Sequence, residues 1–145
     1  METYSNSKGQ SFFEVVVAMG LISIVLVTLV AMASLSIRAT TFSRSQTEAV
    51  RLTQQASEWL RGEKDASWTI FKTRAASGTW CLDSLTWSRP GTCSANNIVP
   101  GTIFTRQVKF TNIDAVTIQS DIQTTWADAQ GTHTSTTGVI FTNWK

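Results

Sequence analysis

The sequence predicts an α+β fold, with one long N-terminal helix, membrane-spanning and then amphipathic, packed on a C-terminal antiparallel β-sheet. Three observations carry that expectation. No charged side chain stands between Val15 and Ile37, in VVVAMGLISIVLVTLVAMASLSI. An apolar stripe at helical spacing follows, and from Ile103 onward β-branched and aromatic residues alternate with polar ones. Charged residues make up 15% of the 145-residue chain, against about 25% in soluble globular proteins, and the uncharged run accounts for the shortfall.

The first element is the span itself, about residues 15–37. About 20 mostly apolar residues suffice for a helix to cross the hydrocarbon core. Without water, every backbone N–H and C=O must bond internally, which a single segment achieves only as a helix. A buried core helix is the alternative. It would need protein on every side, and the rest of the chain cannot supply that while also folding its own core.

Past Ile37 the helix pattern turns amphipathic. Phe42, Ala49, Leu52, Ala56, Trp59 and Leu60 fall on one stripe, with Arg38, Arg44, Glu48, Arg51, Glu58 and Arg61 on the other faces. No proline interrupts Gln10 to Arg61. A single helix over residues 10–62 is therefore expected, about 50 residues and about 75 Å long. Gly62 and the charged Glu63-Lys64-Asp65 mark its end. The stripe faces a head formed by residues 63–145.

Between Asp65 and Pro100 the periodicity fades. Trp68, Phe71, Trp80, Leu82 and Trp87 lie scattered among Ser, Thr and Gly. An irregular connection is expected there, with short strands around Trp80 and Trp87. Cys81 and Cys93, the only cysteines, lie beyond the span. A disulfide between them is the natural reading on the outer side of a membrane; two unpaired thiols are the alternative. Three strands follow: Ile103–Phe110, with Arg106, Val108 and Phe110 opposite Gln107 and Lys109; Val116–Trp126; and Thr132–Trp144. Ala127 to Gly131 form the turn between the last two.

Composition argues against several function classes. A net charge of +2 is too small to imply a nucleic-acid partner. Two thiols and the distant His133 do not make a four-ligand zinc site. The sequence has no phosphate-cradling loop and no G-x-S-x-G, so neither an enzyme nor a cofactor is expected. The six tryptophans invite a sugar-binding reading; for Trp126 and Trp144, on candidate strands, core or sheet-edge packing is the simpler expectation.

The junction before the span distinguishes three routes. A secretory signal peptide would be cut after Ala31-Met32-Ala33, which satisfies the small-x-small rule. Its apolar region would be overlong, and cleavage would discard a helix whose stripe runs on past the cut. A plain signal anchor is permitted but explains neither Glu14 nor Gly9-Gln10. The third route explains both, because Lys8-Gly9-Gln10-Ser11-Phe12-Phe13-Glu14 resembles the processing site of type IV prepilins and pseudopilins. The resemblance implies cleavage after Gly9 of a leader spanning residues 1–9. Gln10 then opens the mature chain, where Phe is usual, and Glu14 stands fifth. It leaves open whether the new amine is methylated or Gln10 cyclises. A second likeness lies at the far end. Thr125-Trp126-Ala127-Asp128, Gly131-Thr132-His133 and Phe141-Thr142-Asn143-Trp144 are similar to the final hairpin of minor pilins of the pilus-modification kind.

What the resemblance implies is a pilin-like fold and a structural role. The chain would be a minor pilin or pseudopilin assembled into a filament through its helix. Expected partners are the prepilin peptidase, other pilin subunits, the inner-membrane assembly machinery and membrane lipid. No nucleic acid is needed for folding. Before assembly the chain would cross the inner membrane once, and afterwards it would belong to an extracellular or periplasmic filament. Glu14 would act as an assembly ligand for the amine of a neighbouring Gln10. The simpler explanation of Glu14 is attraction to the positive end of the helix dipole, worth about 0.3–1 kcal/mol. Lys8, opposed by Glu2, precedes the span, while Arg38 and Arg44 follow it. The positive-inside bias therefore opposes the orientation that the resemblance implies, with the N-terminus inside.

Overall fold

The computed structural model describes residues 8–143, with side chains from residue 12 onward. Helix α1 runs from Lys8 to Ala66 and α2 from Trp68 to Ala75. Five strands follow: β1 (Thr79–Cys81), β2 (Arg89–Pro90), β3 (Thr105–Asn112), β4 (Thr117–Asp128) and β5 (Gly131–Thr142). The chain divides into two units, at Ser43 and Arg44.

In the first unit the sequence dictates helix and nothing more. Every described side chain from Phe12 to Ser43 is exposed. The hydroxyls in this stretch turn back on the helix: Ser23 donates to the Met19 carbonyl at 2.8 Å, Thr28 to that of Val25 at 2.8 Å and Ser34 to that of Val30 at 3.0 Å. Such back-bonding satisfies a hydroxyl without water, which suits a helix in lipid. By length and composition α1 can cross a membrane.

In the second unit the last turns of α1 lie on the antiparallel sheet. Strand order is β2-β1-β3-β4-β5, with every pairing antiparallel. Alternation sets the faces. Arg106, Val108 and Phe110 of β3 point inward, as do Ile118, Ser120, Ile122, Thr124 and Trp126 of β4. From the helix side, Ala49, Leu52, Thr53, Ala56, Ser57 and Leu60 are buried. The expected stripe therefore holds from Ala49 to Leu60, whereas Phe42 is 39% exposed. One apolar cluster joins Ala56 and Leu60 to Phe71, Trp80, Val108, Ile122 and Phe141. A second joins Ala49 and Leu52 to Phe104 and Trp126. Burying each large side chain of this kind is worth about 1.5–3 kcal/mol. Thr53 Oγ1 lies 2.8 Å from both Thr124 Oγ1 and the Ala49 carbonyl, so the polar atoms between the clusters are bonded across the interface.

Three local expectations change. First, the helix continues through Gly62 to Ala66. Gly62 does not adopt the left-handed conformation by which glycine ends a helix. The break comes at Ser67, extended at φ −163°, whose Oγ accepts from the Ile70 N–H. Second, this cap starts an unexpected short helix, α2, with Phe71 and Ala75 buried four residues apart. Third, the final hairpin is tighter than expected. Its strands reach Asp128 and restart at Gly131, whose positive φ of 130° is a backbone conformation that favours glycine. Around Trp80 a strand forms as expected, but the second short strand falls at Arg89–Pro90, just beyond Trp87.

Candidate functional site

The residues of the processing motif sit at the start of α1. Lys8, Gly9 and Gln10 belong to its first turn, and their side chains lie outside the described residues, as does the rest of the leader. Glu14 is exposed on the same helix, immediately before the uncharged run. Gln10 and Glu14 are four residues apart in continuous helix, hence on one face. This places a carboxylate and the backbone nitrogen of Gln10 one turn apart at the end of an apolar segment. From Val15 to Leu35 the helix offers apolar side chains and the hydroxyls of Ser23, Thr28 and Ser34, each bonded back to the helix.

In the head, the expected disulfide joins Cys81 and Cys93, with a Cα–Cα distance of 4.8 Å. Cys81 lies on β1, and Cys93 lies in the loop that follows β2. The Cys93 N–H donates to Gln107 Oε1, and Gln107 Nε2 donates to Gln123 Oε1 at 3.1 Å. The bond thereby ties an irregular loop to the outer face of the sheet.

Arg106 is the residue that sequence reasoning placed on the inner face without assigning it a role. It is 2% exposed. Nε donates to the Leu82 carbonyl at 3.0 Å, and Nη1 donates to the Leu52 carbonyl at 3.0 Å and to Gln55 Oε1 at 3.1 Å. Desolvation, and then the nearby Arg51, pull its guanidinium down to about 10, while Asp83 opposes the shift. The signal was a cation alternating in phase with Val108 and Phe110.

The remaining polar groups belong to local structure. Trp87 Nε1 donates to Glu63 Oε2 at 2.7 Å, which fixes the loop after β1 against the end of α1. Asp128 Oδ1 lies 2.9 Å from His133 Nε2 across the final hairpin, and this contact holds the carboxyl below its usual range. The rings of His133 and Trp126 are 5.2 Å apart. Trp126 is buried, as expected of a core tryptophan; Trp144 lies outside the described residues. Among the described residues, no three His, Cys, Asp or Glu side chains are grouped to hold a metal. No protein-family model, no curated protein and no solved structure matches the chain.

Proposed function

We propose that this chain is a minor type IV pilin or pseudopilin, cleaved after Gly9 by a prepilin peptidase and assembled into a filament through its N-terminal helix. The observation that carries the reading is the helix from Gln10 to Ile37. Its one described charge is Glu14, every described side chain on it is exposed, and it follows directly on Lys8-Gly9. An apolar surface exposed on all sides is stable only in lipid or among similar helices. The same surface therefore serves the subunit in the membrane and later among the helices of a filament. The long helix against an antiparallel sheet is compatible with a pilin-like head, and the disulfide suits an oxidising exterior.

Glu14 gives assembly its chemistry. A carboxylate at the helix centre costs about 2.5–3.5 kcal/mol in a bilayer, so one at its edge persists best with a cationic partner. Cleavage after Gly9 creates one in the Gln10 amine. The test is intact mass and N-terminal sequencing after expression with and without a prepilin peptidase. A peptidase-dependent start at Gln10 is expected. A start at Ser34, or an uncut chain, would instead make this a secreted or membrane-anchored β-rich binding domain.

A further inference from the structure

Between the two cysteines runs a strap, residues 83–92, whose hold on the head is concentrated at its centre. Ser84, Thr86 and Ser88 are exposed, and so is the run from Arg89 to Thr92. The ion pair of Arg89 with Asp83, at 2.8 Å, lies within the strap and so adds no tie to the rest of the head. Its backbone meets the sheet through the two residues of β2 and through Gly91, whose N–H donates to the Thr79 carbonyl at 2.7 Å. Trp87 stands midway, six residues from either cysteine. Its ring lies 4.8 Å from that of Trp59 on α1, 5.2 Å from Trp80 on β1, 6.1 Å from Phe110 on β3 and 6.3 Å from Phe71 on α2. Leu85 packs on the same cluster, and the bond from Trp87 Nε1 to Glu63 fixes the edge of the ring. One side chain of the strap thus meets four elements through aromatic contacts that add to its burial.

We propose that the Cys81–Cys93 bond is a redox-sensitive latch. Oxidised, it holds Trp87 as a plug on an aromatic floor of Trp59, Phe71, Trp80 and Phe110; reduced, it lets the strap lift while the sheet stays folded. With both ends bonded, a lifted strap gains little chain freedom, so the ring contacts prevail. Breaking the bond returns that freedom, and for a loop of this length the balance moves toward the open form by about a hundredfold. The rest of the head has supports of its own. The registers of β3 with β4 and of β4 with β5 contain no strap residue. Ala56, Leu60, Val108, Ile122 and Phe141 also belong to one core cluster drawn from α1 and those three strands. The chemistry is thiol–disulfide exchange with a dithiol. Cys81 is 2% exposed, whereas Cys93 is half-buried between exposed Thr92 and Ser94. One thiolate of the reductant therefore attacks Cys93 Sγ, the S–S bond breaks, and Cys81 Sγ leaves and takes a proton. The second thiolate then releases Cys93 Sγ, which is protonated in turn, as the reductant closes to its own disulfide. Two electrons and two protons have then passed to the chain, and a disulfide oxidant such as oxidised glutathione reverses each step. The floor is bare in a reducing compartment and covered in an oxidising one, whether or not the chain is cleaved or assembled.

Hydrogen exchange of the full chain in detergent, read by mass spectrometry with and without dithiothreitol, tests this. Alkylation of the two thiols checks that reduction is complete. Exchange in residues 82–92 should quicken by about a hundredfold. That of β3 to β5 should stay unchanged, and oxidised glutathione should restore the slow form. Cys81→Ser/Cys93→Ser should exchange fast in the same segment without reductant and show no response to it. With the disulfide intact, Trp87→Ala should also quicken that segment, whereas Trp87→Phe, which keeps a ring, should stay slow. Unchanged exchange after full reduction would overturn the latch. So would an equal rise in β3 to β5, which would make the bond a support of the whole head. Slow exchange in oxidised Trp87→Ala would overturn the plug. The wild-type comparison decides the latch even where Trp87→Ala fails to fold.

Discussion

Arg106 shows how a single side chain can hold together elements that hydrophobic contact alone would leave free to slide. Its planar fork joins β3 to a carbonyl of α1, at Leu52, and to Leu82, just beyond the disulfide-bonded Cys81. Burial of a guanidinium is costly, so the three acceptors must offset its desolvation. Replacement by Met removes the cost together with the bonds, but leaves the buried Leu82 carbonyl without its charged donor. An unsatisfied group of that kind costs about 1–3 kcal/mol. Arg106→Met should therefore lower stability by about 2 kcal/mol. Arg106→Lys should do little better, because an ammonium cannot span acceptors set for a fork. Urea unfolding of the detergent-solubilised chain, followed by tryptophan fluorescence, measures both. Wild-type stability in Arg106→Met would mean that the bonds merely cancel the desolvation.

Among the elements, the loop between β1 and β3 relies most on a covalent constraint. It holds only the two-residue β2 and an isolated bridge between Ile98 and Thr105. The Cys81–Cys93 bond, separated by 12 residues, closes most of its first half. A loop of that length gains about 3 kcal/mol from closure. The double variant Cys81→Ala/Cys93→Ala should lose about that much stability. It should also become sensitive to limited proteolysis between Asp83 and Thr102, while β3, β4 and β5 stay protected. Equal proteolysis of loop and strands would show that the bond supports the whole head. Strands β3 to β5 could be read from the sequence because each is rich in β-branched and aromatic residues, and β3 and β4 alternate with one buried face. Helix α2 could not. Eight residues give two turns, and its only early sign is Ser67 standing before Trp68, Phe71 and Ala75.

For the whole molecule, the proposed role depends on the exposed apolar surface of the helix, on which Glu14 is the described charge. If it receives a neighbour's amine, Glu14→Leu should leave cleavage after Gly9 intact and raise the apolar character of the span. Incorporation into filaments, measured as the subunit's share of a sheared filament fraction, should fall severalfold. Normal incorporation would reduce Glu14 to a helix-dipole partner, worth about 0.3–1 kcal/mol. Separating cleavage from incorporation keeps the leader's chemistry distinct from that of the assembled helix.

Sequence by itself determined the α+β class, the apolar helix, the stripe from Ala49 to Leu60 and the inward face of β3. These are periodic or compositional properties, written in residues close together along the chain. Only the tertiary structure decided that Gly62 would be passed over, since a glycine ends a helix only where the backbone turns left-handed. It alone also gave Arg106 its three acceptors, which arrive from positions as much as 54 residues away. Strand order belongs with these, because it put a two-residue strand at one edge and a twelve-residue strand at the other. Alternation says which way a side chain points, but not which strand lies next to it. That neighbour is fixed when the whole chain has packed.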